Sequence, residues 1–284
     1  MVKSKSKKIS SVEKRILAAL VMLPVAIGAL WFGYPYIDIL ALLVGTLFAW
    51  EWANMVPNRN VPVYALSYLF SLCVSLLYST GCTAVVIAAT TIFVWLKARR
   101  EKERFLLALG VPYISVGIGA LLWIYHFGFG RYFPSYNFYM TLWFFVMVWS
   151  MDIGGYVVGC SLRGPKLAPK ISPNKTWSGL IGGVVLAMAV SLIYFEAFMT
   201  FGVLEIDLKT CKFFSLLGGL VALISQIGDL IESAIKRHLG IKDASTLIPG
   251  HGGIFDRIDG LVFAAPFVYW LFAYWLFASD IWYF

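Results

Sequence analysis

Ser233 to Asp259 reads SAIKRHLGIKDASTLIPGHGGIFDRID and lies between two long apolar segments. Pro249-Gly250-His251-Gly252-Gly253 can turn successive backbone N–H groups to one side, the geometry of an anion-binding nest. Asp256 and Asp259 follow at i, i+3 and open the next apolar segment on one face. Upstream, Gln226, Asp229, Glu232, Ser233 and Lys236 recur at three- and four-residue steps, one polar stripe on an otherwise apolar helix. Asp229 precedes Lys236 by seven residues, which puts it about 10 Å deeper at 1.5 Å per residue. An acid at that depth is costly and faces a cavity, a partner or a cation. Asp229, Asp256 and Asp259 together form an all-oxygen donor set. Such a set suits Mg²⁺, which one or two carboxylates plus substrate phosphates hold. Lys236, Arg237, Lys242 and Arg257 are the phosphate partners, Arg by bidentate contact and Lys as a point charge. His251, between glycines, can shuttle a proton or donate to a phosphate. The plainer alternatives are an interhelical ion pair for Asp229, dipole complementation for Asp256 and Asp259, and membrane orientation for the bases.

A second group lies at 152–178. Asp152 ends an apolar run, and RGPKLAPKISPNKTWSG leads into the next one. Ser172, Asn174, Lys175 and Thr176 stand just before a helix start, where free N–H groups point at anions. Asp256, Asp259 and Asp229 with Lys236 are the candidate catalytic set. Ser172, Asn174, Lys175, Thr176, Arg237, Lys242, His251, Gly252, Gly253 and Arg257 are the candidate substrate-binding set.

The elements that must position these groups are hydrocarbon-compatible. The chain has 284 residues, of which 60% are hydrophobic and only 13% charged. Its mean hydropathy is +0.80. Soluble domains are roughly 25% charged, so the expected fold class is all-α, a polytopic membrane protein. A spanning helix needs about 20 apolar residues, and candidate runs occur at 16–33, 36–55, 62–80, 83–97, 105–126, 138–160, 178–202, 213–235 and 260–279, the fourth of them short. The first has no clean cleavage site and the second follows at once, so it reads as a span and not a signal peptide. With the N-terminus in the cytosol, only Arg131, Lys209 and Lys212 of the 23 Lys and Arg residues fall outside. That bias predicts nine transmembrane helices with the C-terminus outside. It also accounts for the net charge of +8, together with attraction to anionic lipid, without nucleic acid.

Residues 1–135 carry no acid cluster and read as a transmembrane scaffold, with Pro24 and Pro112 as kink points. Residues 136–284 carry the chemistry. The four cysteines have no metal-site spacing, and Cys160 and Cys211 fall on opposite sides, so free thiols are expected.

The run Ser233-Ala-Ile-Lys236-Arg237, then Lys242-Asp243, then Pro249-Gly-His251-Gly252-Gly253-Ile-Phe-Asp256-Arg257-Ile-Asp259 resembles the diagnostic motif of the phosphatidate cytidylyltransferases, or CDP-diacylglycerol synthases. Asp152-Ile-Gly-Gly-Tyr156 and Ile171-Ser-Pro-Asn-Lys-Thr-Trp177 are similar to the same family, so the likeness spans roughly 140–266. Gly155 and Ser178 depart from it, since many members have Ala and an acid there. The resemblance implies transfer of CMP from CTP to phosphatidate, with Mg²⁺, giving CDP-diacylglycerol and pyrophosphate. It implies a multi-pass protein of the inner membrane with its active site on the cytosolic face, and a homodimer. The lipid phosphate, with a second pKa near 6, is itself the nucleophile, so no Ser or Cys nucleophile is required. A transporter or channel for a phosphorylated anion is the alternative from another class. It needs basic loops and intramembrane acids but no compact acid-and-glycine loop, and the absence of an internal repeat weighs against it. A CDP-alcohol phosphotransferase is a further alternative, but its Asp-rich helix motif is missing.

Overall fold

The computed structural model describes residues 11–77, 81–127, 136–202, 207–248 and 252–278. Within them the chain forms nine α-helices: α1 Ser11–Phe32, α2 Tyr36–Met55, α3 Val61–Leu77, α4 Gly81–Lys97, α5 Arg104–Phe127, α6 Tyr136–Leu162, α7 Trp177–Thr200, α8 Leu208–His238 and α9 Phe255–Ala278. A 3₁₀ turn, Ala98–Arg100, extends α4. Each helix overlaps one of the expected apolar segments. Among the described residues, six are long and apolar enough to cross a membrane: α2, α4 with its extension, α5, α6, α7 and α8. The apolar stretches Leu20–Phe32 in α1 and Val61–Leu77 are shorter.

The all-α expectation needs one amendment. Lys166–Ala168 (β1) and Ser172–Thr176 (β2) pair as a small antiparallel hairpin ahead of α7. Hydropathy cannot reveal it, because the hairpin is polar and Pro-rich. Its end doubles as a helix start: Thr176 is extended (φ −126°), and its hydroxyl accepts from Gly179 N at 3.1 Å. That is an N-cap, satisfying a donor the first turn cannot pair internally. Asp207 caps α8 in the same way, accepting from Thr210 N at 2.8 Å. At its other end α8 carries Lys236, Arg237 and His238 in the last turn, where cations suit the dipole. It stops at Gly240 (φ +73°), with Ile241 N bonded to Lys236 O and Gly240 N to Arg237 O. This is a Schellman ending, which requires a left-handed residue.

The helices bury two apolar cores. Phe48, Trp52, Tyr64, Tyr68, Leu107 and Ile114 of α2, α3 and α5 enclose Ile235, Phe255 and Val262 of α8 and α9. Trp143, Phe144 and Met147 of α6 pack with Phe195, Phe214, Val221 and Ala265 of α7, α8 and α9. Helix α9 therefore belongs to both cores and joins the two halves of the chain. Large apolar side chains such as Leu66, Val85, Ile92, Ile181 and Leu216 point outward, as lipid-facing positions do. All four cysteines are free thiols.

Candidate active site

The polar groups collect where the end of α8, the start of α9, the β1–β2 hairpin and the end of α2 meet. Small residues permit this. A Cβ on Gly228 would lie 2.5 Å from Cβ of Phe263 and 3.2 Å from the carbonyl oxygen of Asp259. Gly260 faces Ser225 in the same contact. The α8 and α9 backbones thus close together beside Asp229 and Asp259, as small residues allow between membrane helices.

Asp229, Glu232 and Asp259 each bring a carboxylate oxygen to within 4.8 Å of the others. Lys175, from the hairpin, forms an ion pair with Asp229. Lys236, nearly buried, is held between Glu232 at 2.5 Å and Asp256 at 2.8 Å. Ser233 donates to Asp229 across 3.4 Å. An all-carboxylate group of this size fits a hard divalent cation, which takes oxygen ligands.

The grouping differs from the expected Asp229, Asp256 and Asp259 set. Asp229 and Asp259 meet, but Glu232 is the third member of the cluster. The Asp256 carboxylate instead accepts from Lys236 Nζ at 2.8 Å, from Ala244 N at 3.1 Å and from Gly253 N at 2.8 Å. Glu232 stands one turn from Asp229 on the polar stripe of α8, so helical spacing alone contained the signal for it.

The described end of the glycine turn is engaged within the protein. Pro249, Gly250 and His251 lie outside the described residues. The N–H groups of Gly253, Ile254 and Phe255 are taken by carboxylates of the protein itself. Gly253 N donates to Asp256, while Ile254 N and Phe255 N donate to Glu51 at 2.9 Å each. Gly252 has φ +81°, and a Cβ there would lie 2.4 Å from Asp256 Oδ2. Glu51 belongs to the half read as scaffold, and its link to this loop was not foreseen. The available signal was one acid inside an apolar run, LLVGTLFAWEWANM.

The remaining candidates divide. Arg237 reaches the Ile171 carbonyl with Nε and the Ile241 carbonyl with a terminal nitrogen, both at 3.3 Å, tying the hairpin to the end of α8. Thr176 is buried as the α7 cap. Ser178 accepts from Gly164 N at 3.2 Å and bonds the Thr176 hydroxyl at 3.1 Å, so it braces the hairpin. Asn174, Lys242 and Arg257 are exposed and Ser172 is half-buried.

The architecture and the site define a helical membrane protein with a lysine-flanked carboxylate cluster at the end of its helices, suited to phosphate chemistry. The sequence profile of the cytidylyltransferase family matches residues 13–275, and the chain belongs to that family. The chain is 32% identical to the phosphatidate cytidylyltransferase of Brucella suis over 281 residues, 96% of this chain and 97% of that one. It is 30% identical to the protein of the same name from Haemophilus influenzae, covering 90% and 96% of the two chains. Against that of Bacillus subtilis the identity is 42% over 143 residues, about half of each chain.

Proposed function

We propose that the protein transfers CMP from CTP to phosphatidate, forming CDP-diacylglycerol and pyrophosphate for phospholipid synthesis. The observation that carries this reading is the Asp229, Glu232 and Asp259 cluster with Lys175 and Lys236 at its edge, in a chain of the cytidylyltransferase family. A phosphate oxygen of the lipid attacks the α-phosphorus of CTP. A P–O bond forms there, and the bond to the departing pyrophosphate breaks. Such a displacement depends on positioning and charge stabilisation. The acid cluster would hold the cation, and Mg²⁺ is the ion whose oxygen preference matches it. When bound, it supplies counter-charge for the leaving group.

Lys236 sits at the junction of cluster and loop, and Lys175 brings the hairpin to Asp229. Arg237, Lys242 and Arg257 ring the mouth and bind phosphates. Ser172, Asn174, His251, Gly252 and Gly253 complete the substrate side. Asp256 shapes the loop and, with Glu232, holds the Lys236 ammonium. Residues 136–284 supply the catalytic region and 1–135 the scaffold. In the same reading the chain crosses the inner membrane nine times. Its N-terminus and active site are cytosolic, and it works as a homodimer.

The test is to offer the purified protein, in lipid micelles with phosphatidate and Mg²⁺, each nucleoside triphosphate in turn. CTP should give pyrophosphate and a cytidine-bearing lipid, and chelation should stop both. A protein that moves phosphorylated anions across vesicles without releasing pyrophosphate would be a transporter instead.

A further inference from the structure

We propose that Glu51 of α2 is a positioning residue for the catalytic loop and the first turn of α9, an inference that rests on the reading of that loop above. The Glu51 side chain is only 3% exposed. One carboxylate oxygen accepts from Ser245 Oγ at 2.6 Å and from Ile254 N at 2.9 Å. The other accepts from Phe255 N at 2.9 Å. These donors lie 194, 203 and 204 residues further along the chain.

Ile254 N and Phe255 N are donors at the start of α9, where a helix cannot pair them internally. A carboxylate there also complements the helix dipole. Here that carboxylate comes from another helix, in the other half of the protein. The surroundings hold it in register. Phe255 stacks on Phe48 at 4.9 Å and meets Trp52 at 5.4 Å, the residues three before and one after Glu51. Gly253 leaves the room, since a Cβ there would lie 2.7 Å from the Glu51 carboxylate.

The consequence runs through α9. Its first turn carries Asp256, which ties Lys236, Ala244 N and Gly253 N together, and its second begins with Asp259, a member of the acid cluster. Two carboxylates therefore grip the loop, Asp256 from within and Glu51 from α2. Its three contacts among the described residues are all with protein donors, so Glu51 acts on substrate through the loop. The grip fixes where Asp259 points and where Lys236 ends. A misplacement of about 1 Å in such a site can cost about a hundredfold in rate.

The experiment compares wild type, Glu51→Gln, Glu51→Asp and Ser245→Ala as full chains in lipid micelles. Gln keeps the shape but turns an N–H₂ toward a donor, whereas Asp keeps the charge at a shorter reach. Turnover, the Mg²⁺ concentration for half-activity, thermal unfolding and hydrogen exchange of the 244–258 segment would be measured. Glu51→Gln should lower turnover at least tenfold, raise the Mg²⁺ requirement and speed exchange at 252–258. Exchange in α6 and α7 should not change. Glu51→Asp should recover part of the loss, and Ser245→Ala should shift the same readouts less.

Wild-type turnover and Mg²⁺ response in Glu51→Gln would overturn the proposal. So would lost turnover with unchanged loop exchange, because the charge would then act directly. If Glu51→Gln does not fold, wild-type values in both other variants overturn it. Failure of wild type to use CTP and phosphatidate would sink the proposed reaction instead, while the exchange measurement would still report on the grip.

Discussion

Lys236 is held by Glu232 and Asp256 on the polar stripe of α8, with little exposure. Removing its charge leaves two buried acids without their partner, a costly arrangement. Lys236→Ala should therefore lower turnover by about a hundredfold or more, each tenfold being 1.36 kcal/mol. Lys102→Ala, at an exposed position before α5, should leave turnover unchanged. Mg²⁺-dependent CDP-lipid formation by protein matched for amount and elution profile checks this, and equal losses would mean that the loop charges only orient the chain. The two acids of α9 should separate in kind. Asp259→Asn takes a carboxylate from the cluster, so turnover should collapse and the residual activity should need more Mg²⁺. Asp256→Asn keeps size but loses the charge facing Lys236, and should be nearly inactive in a protein that still inserts. Asp207→Asn is the control. Hydrogen bonds from Thr210 hold the Asp207 carboxyl below its usual range, yet Asn caps helices as well as Asp, so turnover should stay within about twofold. A steady-state Mg²⁺ titration of the three variants measures these outcomes. An Asp256→Asn protein with normal activity and Mg²⁺ response would remove that residue from the site.

The site depends on how closely α8 and α9 approach. Gly228→Ala would drive a methyl into the base of Phe263, which cannot swing away as the end of a flexible chain could. Overpacking of this kind costs about 1–3 kcal/mol, and the displaced helices would also spread Asp229 from Asp259. Thermal unfolding should fall, and turnover should fall further than stability alone explains. Gly28→Ala in α1 meets nothing within 4 Å, and Ala favours a helix over Gly, so it should be neutral or mildly stabilising. Melting curves and turnover for the pair test the claim, and equal behaviour would mean that the approach at Gly228 is incidental.

For the whole molecule, the proposed orientation puts the loop after α4, the hairpin and the loop after α8 on one side. In a variant lacking its own four cysteines, single cysteines at Arg100, Pro169 and Leu247 should react only from the cytosolic side. One at Lys209 should react only from the other side. Labelling of positions 169 and 247 from opposite faces would break the site, because Lys175 and Arg237 join the hairpin to α8.

The sequence alone determined the helices, because lipid permits few backbone solutions and each apolar run of the required length had to become one. It also determined where the chemistry lies. Acids and bases in an apolar chain are too costly to occur without purpose, and the 233–259 run with the 171–177 run carries the family resemblance in its residue types. Helical spacing put Asp229, Glu232 and Lys236 on one stripe before any fold was known. Tertiary structure decided which of these groups meet. Convergence across helices depends on close backbone approach, so Gly228 and Gly260 brought Asp229, Glu232 and Asp259 together and left Asp256 to the loop. Tertiary structure also decided that the N–H groups of Gly253, Ile254 and Phe255 bind Asp256 and Glu51. A contact spanning about two hundred residues leaves no periodic trace in the chain, since hydropathy and spacing report only on neighbours along one element.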